Sequence, residues 1–377
     1  MSEDYSQMHT MEPDQVNDVQ WWLEGYDFFE NYSSFDNSSL TGDDVCDLDE
    51  GMKFKALFIP VLYSVAFVVG ILGNGVLLGV LIQSKKTWSV TDTFILHLGV
   101  ADVLLLLTLP FWAAQATQVD GWTFGTPLCK ITGAVFTINF YCGIFLLACI
   151  SLDRYLSIVH ATQMYSRRKP WVVQVSCLAV WSFSLLLSIP DWIFLEAVQD
   201  PRRNTTECAA NYLKFSLQAV GDWRLASRLL YHIVGFMIPS AVLIFCYSCI
   251  LLRLRCGNQG FQKQKAFRVI IAVVLVFFLC WTPYNITLIV DTLYSKNRTC
   301  GVRMSLQKAE TVTSSIGYLH CSINPILYAF VGVKFRRQLL DILRSLGCKL
   351  KTSAKLQSRR KSSIWSESAD TSNSIAV

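Results

Sequence analysis

The sequence predicts an all-α membrane protein: a bundle of seven transmembrane helices followed by a short amphipathic eighth helix. The chain of 377 residues is 52% hydrophobic and only 16% charged. Seven apolar stretches each supply the roughly 20 residues that a helix needs to cross a bilayer, and their residues do not alternate as in the strands of a membrane barrel. The stretches are 56–83, 93–117, 130–152, 171–195, 229–252, 269–293 and 306–331.

Charge predicts the orientation of this bundle. Residues 1–50 contain fourteen Asp or Glu and no Lys or Arg, and they lack the basic and apolar regions of a cleavable signal peptide. The tail holds ten Lys or Arg between Lys334 and Lys361, so the positive-inside rule puts the N-terminus outside the cell. The predicted parts are an acidic disordered segment (1–52), the bundle (53–332), a membrane-surface helix (333–348) and a Ser/Thr-rich cytoplasmic tail (349–377).

Sequons and cysteines agree with this topology. Four glycosylation sequons fall in predicted outer segments, at Asn31, Asn37, Asn204 and Asn297. Four cysteines also lie there, where disulfides can form, namely Cys46, Cys129, Cys208 and Cys300. Four cysteines permit three pairings, and the sequence itself does not choose between them. Cys348 follows the predicted surface helix and is a candidate palmitoylation site.

Ionisable residues in the apolar stretches are the first candidates for function. Asp102 lies inside the second stretch, where a carboxylate is costly enough to predict an ion or proton site. Asn74 and Asn139 have an alternative interpretation as hydrogen-bonding contacts between helices. Asp153 and Arg154 lie side by side at the end of the third stretch, where the same cost applies.

The ordered set of short motifs resembles the rhodopsin-like G-protein-coupled receptors. Asp153-Arg154-Tyr155 ends the third stretch, Cys280-Trp281-Thr282-Pro283 lies in the sixth, and Asn324-Pro325-Ile326-Leu327-Tyr328 closes the seventh. One motif alone is weak, but the set in this order is specific and extends from about Asn74 to Phe335.

The resemblance implies an activation switch and an ion site. In the family, the arginine that matches Arg154 is held by its neighbouring carboxylate, here Asp153, and is released on activation. Asp102 and Asn139 match the family's sodium site, although Gly143 and Cys321 stand where serines are usual. The other switch positions implied are Tyr247, Phe277, Trp281, Asn324, Pro325 and Tyr328.

Further residues narrow the resemblance to the chemokine receptors. Phe136 stands where amine receptors carry an aspartate, and Tyr318 stands where light-sensing pigments carry the retinal lysine. The segments Trp122-Thr123-Phe124-Gly125 and DRYLSIVHATQMYSRR are similar to those of chemokine receptors, and TDTFILHLGVAD and IPDWIFLEA to those of the CXC group. The family's disulfide pattern implies the pairs Cys129–Cys208 and Cys46–Cys300.

The resemblance implies a receptor for CXC chemokines of the interferon-inducible type. Such a receptor activates inhibitory G proteins, raises calcium and drives leukocyte chemotaxis. The acidic N-terminus, with sulfation candidates Tyr26 and Tyr32, is expected to attract a basic chemokine. Asp291 has a second interpretation as a helix cap. The expected pocket residues are Trp112, Phe136, Tyr141, Asp191, Trp281, Asp291, Glu310 and Tyr318.

The inner side of the chain predicts further partners. The segment 333–348 is amphipathic and is expected to lie on membrane lipid. The tail is expected to be phosphorylated by receptor kinases and then to bind arrestin, with Ser362, Ser363, Ser366 and Ser368 as candidate sites. Neither nucleic acid nor a metal ion, apart from sodium at Asp102, is an expected partner.

Three other functions are alternatives to signalling. A scavenging chemokine receptor internalises its ligand without G-protein signalling, but scavengers often alter the DRYLSIV segment, which is intact here. A transporter or channel is disfavoured because the sequence shows no inverted repeat and no regular series of charged residues along a path. An enzyme is disfavoured because neither a metalloprotease motif nor a phosphate-binding loop is present.

Overall fold

The computed structural model describes residues 48–83, 88–160, 170–200, 205–212, 220–256, 261–294, 300–331, 335–337 and 339–340. Several predicted sites lie outside these residues: Tyr26, Tyr32, Cys46, Cys348, the four sequon asparagines and the four serines of the tail. The Cys46–Cys300 pair therefore also lies outside the description, and the side chain of Cys300 is not described.

Seven helical spans follow one another along the chain. The first span is α1 (Leu48–Gln83), the second comprises α2 (Val90–Leu106) and α3 (Leu109–Thr117), and the third is α4 (Gly125–Tyr155). The fourth comprises α5 (Pro170–Leu187) and α6 (Ile189–Phe194). The fifth comprises α7 (Val220–Leu229), a π-helical segment (Leu230–Met237) and α8 (Ile238–Cys256), the sixth is α9 (Phe261–Leu293) and the seventh is α10 (Cys300–Val331).

Six of these spans are long and apolar enough to cross a membrane by length and composition, among the residues that the structure describes. The seventh span is a helix of 32 residues, but polar side chains reduce its hydropathy. Several of them point into the bundle and are almost completely buried, including Ser315, His320 and Asn324. Because α10 packs along both α1 and α9, it closes the bundle that the seven apolar stretches predicted.

Two of the spans are broken near one end of the bundle. We call it the outer end, because the predicted topology places it outside the cell. Between α2 and α3 the Thr108 hydroxyl donates to the carbonyl of Leu105 at 2.7 Å, and Pro110 lies in the first turn of α3. The fourth span repeats the arrangement, with Ser188 donating to the carbonyl of Leu185 at 2.8 Å and a proline in the first turn of α6. A proline cannot donate a backbone hydrogen bond, so the hydroxyls satisfy carbonyls that the break exposes.

The third span lies at the centre of the bundle. It contacts the second, fourth and fifth spans, and 78% of its most apolar window is buried, against 33% for the first span. The first span lies at the edge, because Leu57, Val61, Val65, Val68 and Leu72 recur at helical spacing and are exposed. Such a face suits contact with lipid.

A β-hairpin covers part of the outer end. Its strands β1 (Leu195–Asp200) and β2 (Thr205–Ala210) pair antiparallel, with Ala197 opposite Cys208. A disulfide joins Cys208 to Cys129 in the first turns of α4, and this confirms one of the two predicted pairs. The hairpin is thereby fixed above the third span.

Beyond the seventh span, residues 335–337 and 339–340 are helical. Phe335 is buried and Leu339 packs on the hydrophobic core, whereas Arg336 and Arg337 are exposed. The apolar side chains therefore face the bundle and the basic ones face outward, which is the arrangement expected of an amphipathic helix.

Candidate functional site

A cavity of about 1000 Å³ opens between the outer ends of the spans. Every span and the hairpin contribute side chains to its wall, so the whole bundle is needed to form it. Predicted pocket residues that line the cavity are Trp112, Phe136, Tyr141, Asp191, Glu310 and Tyr318. The aromatic residues Tyr63, Tyr212, Tyr231 and Tyr284 also line it and were not predicted.

The cavity carries charge of both signs. The acids Asp191, Glu207 and Glu310 line it, together with Lys308 and Arg228. The Asp191 carboxylate accepts a hydrogen bond from Thr137 of the third span, which fixes its position in the wall. Burial raises the pKa of the Tyr212 phenol, so this side chain stays neutral beside the charged residues of the cavity. The predicted acids Asp191 and Glu310 therefore share one concave surface.

Asp291 has a different position from the one predicted. Its carboxylate pairs with Arg224 at 2.5 Å and with Arg228 at 3.6 Å, and only 12% of its side chain is exposed. It is not among the described residues that line the cavity, whereas its partner Arg228 is. An acid near the end of α9 is also unfavourable as a cap, because the C-terminus of a helix carries partial negative charge. Asp291 instead joins the fifth span to the sixth.

Sequence reasoning did not identify the two arginines. Arg224 and Arg228 are one helical turn apart on α7 and face Asp291 together. Their spacing at the outer end of an apolar stretch is a signal that could have located them. One carboxylate balances only one of the two positive charges, and Asp291 lies closer to Arg224 than to Arg228. The group of three therefore keeps a net positive charge, and Arg228 remains a cation of the cavity wall.

Aromatic rings form the floor of the cavity. The Phe136 ring centroid lies 4.7 Å from that of Tyr318 and 5.3 Å from that of Trp281. Trp281 is fully buried and lies below the floor rather than in the wall. It was predicted as both a pocket residue and a pivot, and the structure places it as the layer that Phe136 touches from above.

The buried tryptophan continues into the core of the bundle. Its ring centroid lies 4.8 Å from Phe140 and 6.1 Å from Phe277. Gly317 of the seventh span lies against its face, and a Cβ atom there would be 3.2 Å from Trp281 Cζ3. A larger side chain at position 317 would have to displace the indole. A change at the floor can therefore reach the sixth and seventh spans through direct contacts.

A polar cluster lies deeper, around Asp102. The amide of Asn139 donates to Asp102 Oδ1 at 3.1 Å, and the amide of Asn324 donates to Oδ2 at 2.8 Å. Asn74 donates to the backbone carbonyls of Gly70 and Cys321 at 3.0 and 2.9 Å. The structure thus brings together the two predicted ion-site residues and one predicted switch residue, and it links the first, second, third and seventh spans.

The fit of this cluster to sodium is partial. Asp102 and the amide oxygens of Asn139 and Asn324 are the hard oxygen donors that such an ion requires. At Gly143, however, a Cβ atom would lie 3.0 Å from Phe277 Cε2, so the aromatic ring fills the space of the usual serine. An ion here would have one hydroxyl ligand fewer than the family pattern provides.

The opposite end of the third span carries Arg154. Its Nη2 atom donates to Oγ1 of Thr91 in the second span at 2.6 Å, and Thr91 is fully buried. The sequence predicted the neighbouring carboxylate of Asp153 as the partner of the guanidinium, and the hydrogen bond seen here leads to another span instead. Of the remaining predicted switch residues, Phe277 and Asn324 are fully buried and Tyr328 is 4% exposed.

Comparison with known proteins relates the chain to the rhodopsin-family receptors and, among them, to receptors for C-X-C chemokines. Residues 73–328 match the family described as 7 transmembrane receptor (rhodopsin family). The chain is 45% identical to C-X-C chemokine receptor type 3 of Rattus norvegicus over 367 residues, covering 95% of this chain and 96% of the relative. It is 44% identical to the type 3 receptor of Homo sapiens over 357 residues, covering 93% and 94%. Identity to C-X-C chemokine receptor type 5 of Homo sapiens is 39% over 344 residues, or 90% of each chain.

Proposed function

We propose that this protein signals in response to interferon-inducible CXC chemokines. It belongs to the rhodopsin family of seven-transmembrane receptors and, within that family, to the chemokine receptors. It is a multi-pass plasma-membrane receptor and not an enzyme. On this proposal, chemokine binding outside activates heterotrimeric G proteins of the inhibitory class inside, raises calcium and drives leukocyte chemotaxis. The observation that carries the proposal is the acid-lined cavity with an aromatic floor that contacts buried Trp281.

The chemistry of the cavity suits a cationic peptide end. Three acids, Asp191, Glu207 and Glu310, lie in the wall and outnumber its two cations, Lys308 and Arg228. A chemokine presents a flexible N-terminal amine, which is attracted by carboxylates in a site partly shielded from water. The acidic segment 1–50, with sulfated Tyr26 and Tyr32, acts first by drawing the basic body of the chemokine to the outer face.

Signal transfer follows the packed contacts below the floor. A peptide that displaces Phe136 or Tyr318 moves Trp281, because the Phe136 ring touches both. Trp281 in turn packs on Phe140 and near Phe277. Movement of the sixth span then alters the cytoplasmic end of the bundle, where Arg154 leaves Thr91 and contacts the G protein. The ligand shifts the population only as far as it binds the active form more tightly.

The remaining proposed features concern segments outside the described residues. Asn31, Asn37, Asn204 and Asn297 carry glycans, Cys348 carries palmitate beside membrane lipid, and a Cys46–Cys300 bond ties the N-terminal segment to the seventh span. Receptor kinases phosphorylate Ser362, Ser363, Ser366 and Ser368, and the added charge recruits arrestin. The family resemblance implies sodium at Asp102, with Asn139, in the resting form.

A chemokine panel tests the proposal. Cells that express the chain are challenged with interferon-inducible CXC chemokines and with other CXC and CC chemokines, and inhibitory G-protein activation is measured with and without pertussis toxin. A toxin-sensitive response confined to the interferon-inducible group supports the proposal. A response to another group alone contradicts the assigned ligand class. Uptake of chemokine with no G-protein response supports the scavenging alternative.

A further inference from the structure

Three metal-binding side chains meet in the core of the bundle, below the floor of the cavity. Asp102 comes from the second span, and His320 and Cys321 are neighbours on the seventh. A carboxylate oxygen, an imidazole nitrogen and the thiol sulfur of these residues all lie within 4.8 Å of one another. Each of the three residues is at most 1% exposed.

The unsatisfied ring nitrogens of His320 are the main indication that a ligand binds here. Neither of its ring nitrogens has a hydrogen-bond partner among the described residues, although the residue is 1% exposed. Leaving a buried polar atom unsatisfied carries a substantial free-energy cost. Asn324 Oδ1, on the residue that also donates to Asp102, is likewise buried and without a partner in the described part of the chain. Lone pairs are therefore available around Asp102, and a cation would use them.

The charge balance of the cluster agrees with a divalent ion. Asp102 receives hydrogen bonds from the amides of Asn139 and Asn324 and also interacts with the Cys321 thiol. The thiol donates to Asn139 Oδ1 at 3.7 Å, and within the described residues no cationic side chain pairs with Asp102. A carboxylate and a thiolate together carry two negative charges. A divalent cation neutralises both, and this matters in a core where isolated charge is costly.

The donor set selects the metal. One nitrogen, one sulfur and one carboxylate oxygen are the ligands that zinc prefers, with a fourth position left to water. Sodium, magnesium and calcium favour oxygen donors and leave the nitrogen and sulfur unused. The space of an additional hydroxyl at Gly143 is taken by the Phe277 ring. This further reduces the oxygen donors that a hard ion could use.

We propose that Asp102, His320 and Cys321 form a zinc site that connects the second span to the seventh. On binding, zinc takes the place of the Cys321 thiol proton, which passes to solvent, and a new zinc–sulfur bond forms. His320 contributes the lone pair of a neutral ring nitrogen, and Asp102 contributes a carboxylate oxygen. No oxidation or reduction takes place.

Zinc at this site acts on the activation pivot. The His320 ring lies 5.3 Å from Phe277 and 6.4 Å from Trp281, measured between centroids. Zinc held between the second and seventh spans stabilises their present arrangement and lowers the response to agonist, because only differential affinity shifts the population. This effect on signalling depends on the proposed function, whereas the binding of zinc does not.

Metal binding to the purified full-length receptor is the first test. Cobalt(II) serves as a spectroscopic substitute for zinc, since a cysteine sulfur bound to cobalt gives a thiolate-to-metal absorption band. We expect the wild-type chain to develop this band at one equivalent, to lose it on addition of zinc, and to unfold at a higher temperature with zinc than with magnesium. Absence of the band in the wild-type chain would by itself overturn the proposal, whatever the variants show.

Matched variants locate the site. Cys321→Ser and His320→Asn each replace one donor with a residue of similar size, and we expect zinc affinity to fall about tenfold or more in both. The control is Cys177→Ser, which removes another buried thiol, on the fourth span, and should bind zinc as the wild type does. Equal loss in the control, or undiminished binding in both site variants, would contradict the assignment. These readouts require neither chemokine nor G protein, so they are separate from the test of the proposed function.

Discussion

The guanidinium of Arg154 is hydrogen-bonded to the hydroxyl of Thr91, with 2.6 Å between Nη2 and Oγ1. The two residues lie 63 positions apart in sequence and on different spans. A hydrogen bond to a charged group contributes about 1.5–3 kcal/mol. The contact therefore holds the third span to the second at the end opposite the cavity, and on the proposed function it belongs to the resting conformation.

Replacement of Thr91 should raise basal signalling. Thr91→Val keeps the shape of the side chain but removes the acceptor, so the resting form loses its contact with Arg154. We expect basal G-protein turnover to rise by about tenfold or more, measured by nucleotide exchange in membranes without agonist. Thr93→Val, on the same helix, is the control for a buried threonine. Unchanged basal turnover in Thr91→Val would show that this bond does not restrain Arg154.

The glycine beside the buried tryptophan offers a test of signal transfer. In Gly317→Ala the new Cβ would lie 3.2 Å from Trp281 Cζ3 and would push the indole. Overpacking of this kind costs about 1–3 kcal/mol. We expect a lower unfolding temperature and an altered maximal response, with surface binding of chemokine retained. Gly301→Ala, on the same helix, meets nothing within 4 Å and should behave as wild type. If Gly317→Ala and Gly301→Ala gave the same maximal response, the packing of Trp281 would have no part in activation.

The acids in the cavity wall should determine the potency of agonist. Asp191→Asn and Glu310→Gln keep the size of each side chain and remove its charge. A close charge pair at an interface contributes about 1.5 kcal/mol or more, so we expect at least a roughly tenfold higher half-maximal chemokine concentration for each. Asp120→Asn, an exposed acid outside the cavity wall, is the control. The potency of a chemokine shortened at its N-terminus should not change with either substitution. If the shortened and the full-length chemokine lost potency equally, these acids would lie outside the site that binds the N-terminal peptide.

The ion pairs of Asp291 should stabilise the outer ends of the fifth and sixth spans. Asp291→Asn leaves Arg224 and Arg228 without their carboxylate partner, and because both arginines are partly exposed we expect a loss of about 1–2 kcal/mol. Thermal unfolding of Asp291→Asn, Arg224→Gln and the double variant measures the coupling between the two positions. Additive effects would show that the pair at 2.5 Å contributes nothing.

The sequence was sufficient for the main features of the fold because burial in a membrane imposes simple rules. An apolar stretch of sufficient length has few options besides a helix, so seven helices were predicted, including α10 despite its polar residues. The disulfide between Cys129 and Cys208 was predicted from family resemblance and is confirmed. The short strands of the hairpin were not predicted, since six residues such as TTECAA carry little pattern.

Side-chain contacts between spans were harder to predict from the sequence. The Thr91–Arg154 bond and the pairing of Asp291 with two arginines depend on how each helix is rotated about its axis. An apolar stretch surrounded by lipid and protein gives only a weak indication of that rotation. The depth of Trp281 below Phe136 depends in addition on Gly317, whose missing side chain makes the close packing possible. Family resemblance predicts that Trp281 belongs to the pivot, and the structure shows where its ring lies.

The most direct test of the account compares Arg154→Ala with wild type in cells with equal surface expression. Inhibitory G-protein activation and chemokine uptake are measured in the same cells after exposure to interferon-inducible CXC chemokines. The account predicts that the variant binds and internalises chemokine but loses G-protein activation, while Arg253→Ala, an exposed arginine of the fifth span, retains it. A full G-protein response in Arg154→Ala, or no response in the wild type, would contradict the central claim that the cavity signals through Arg154.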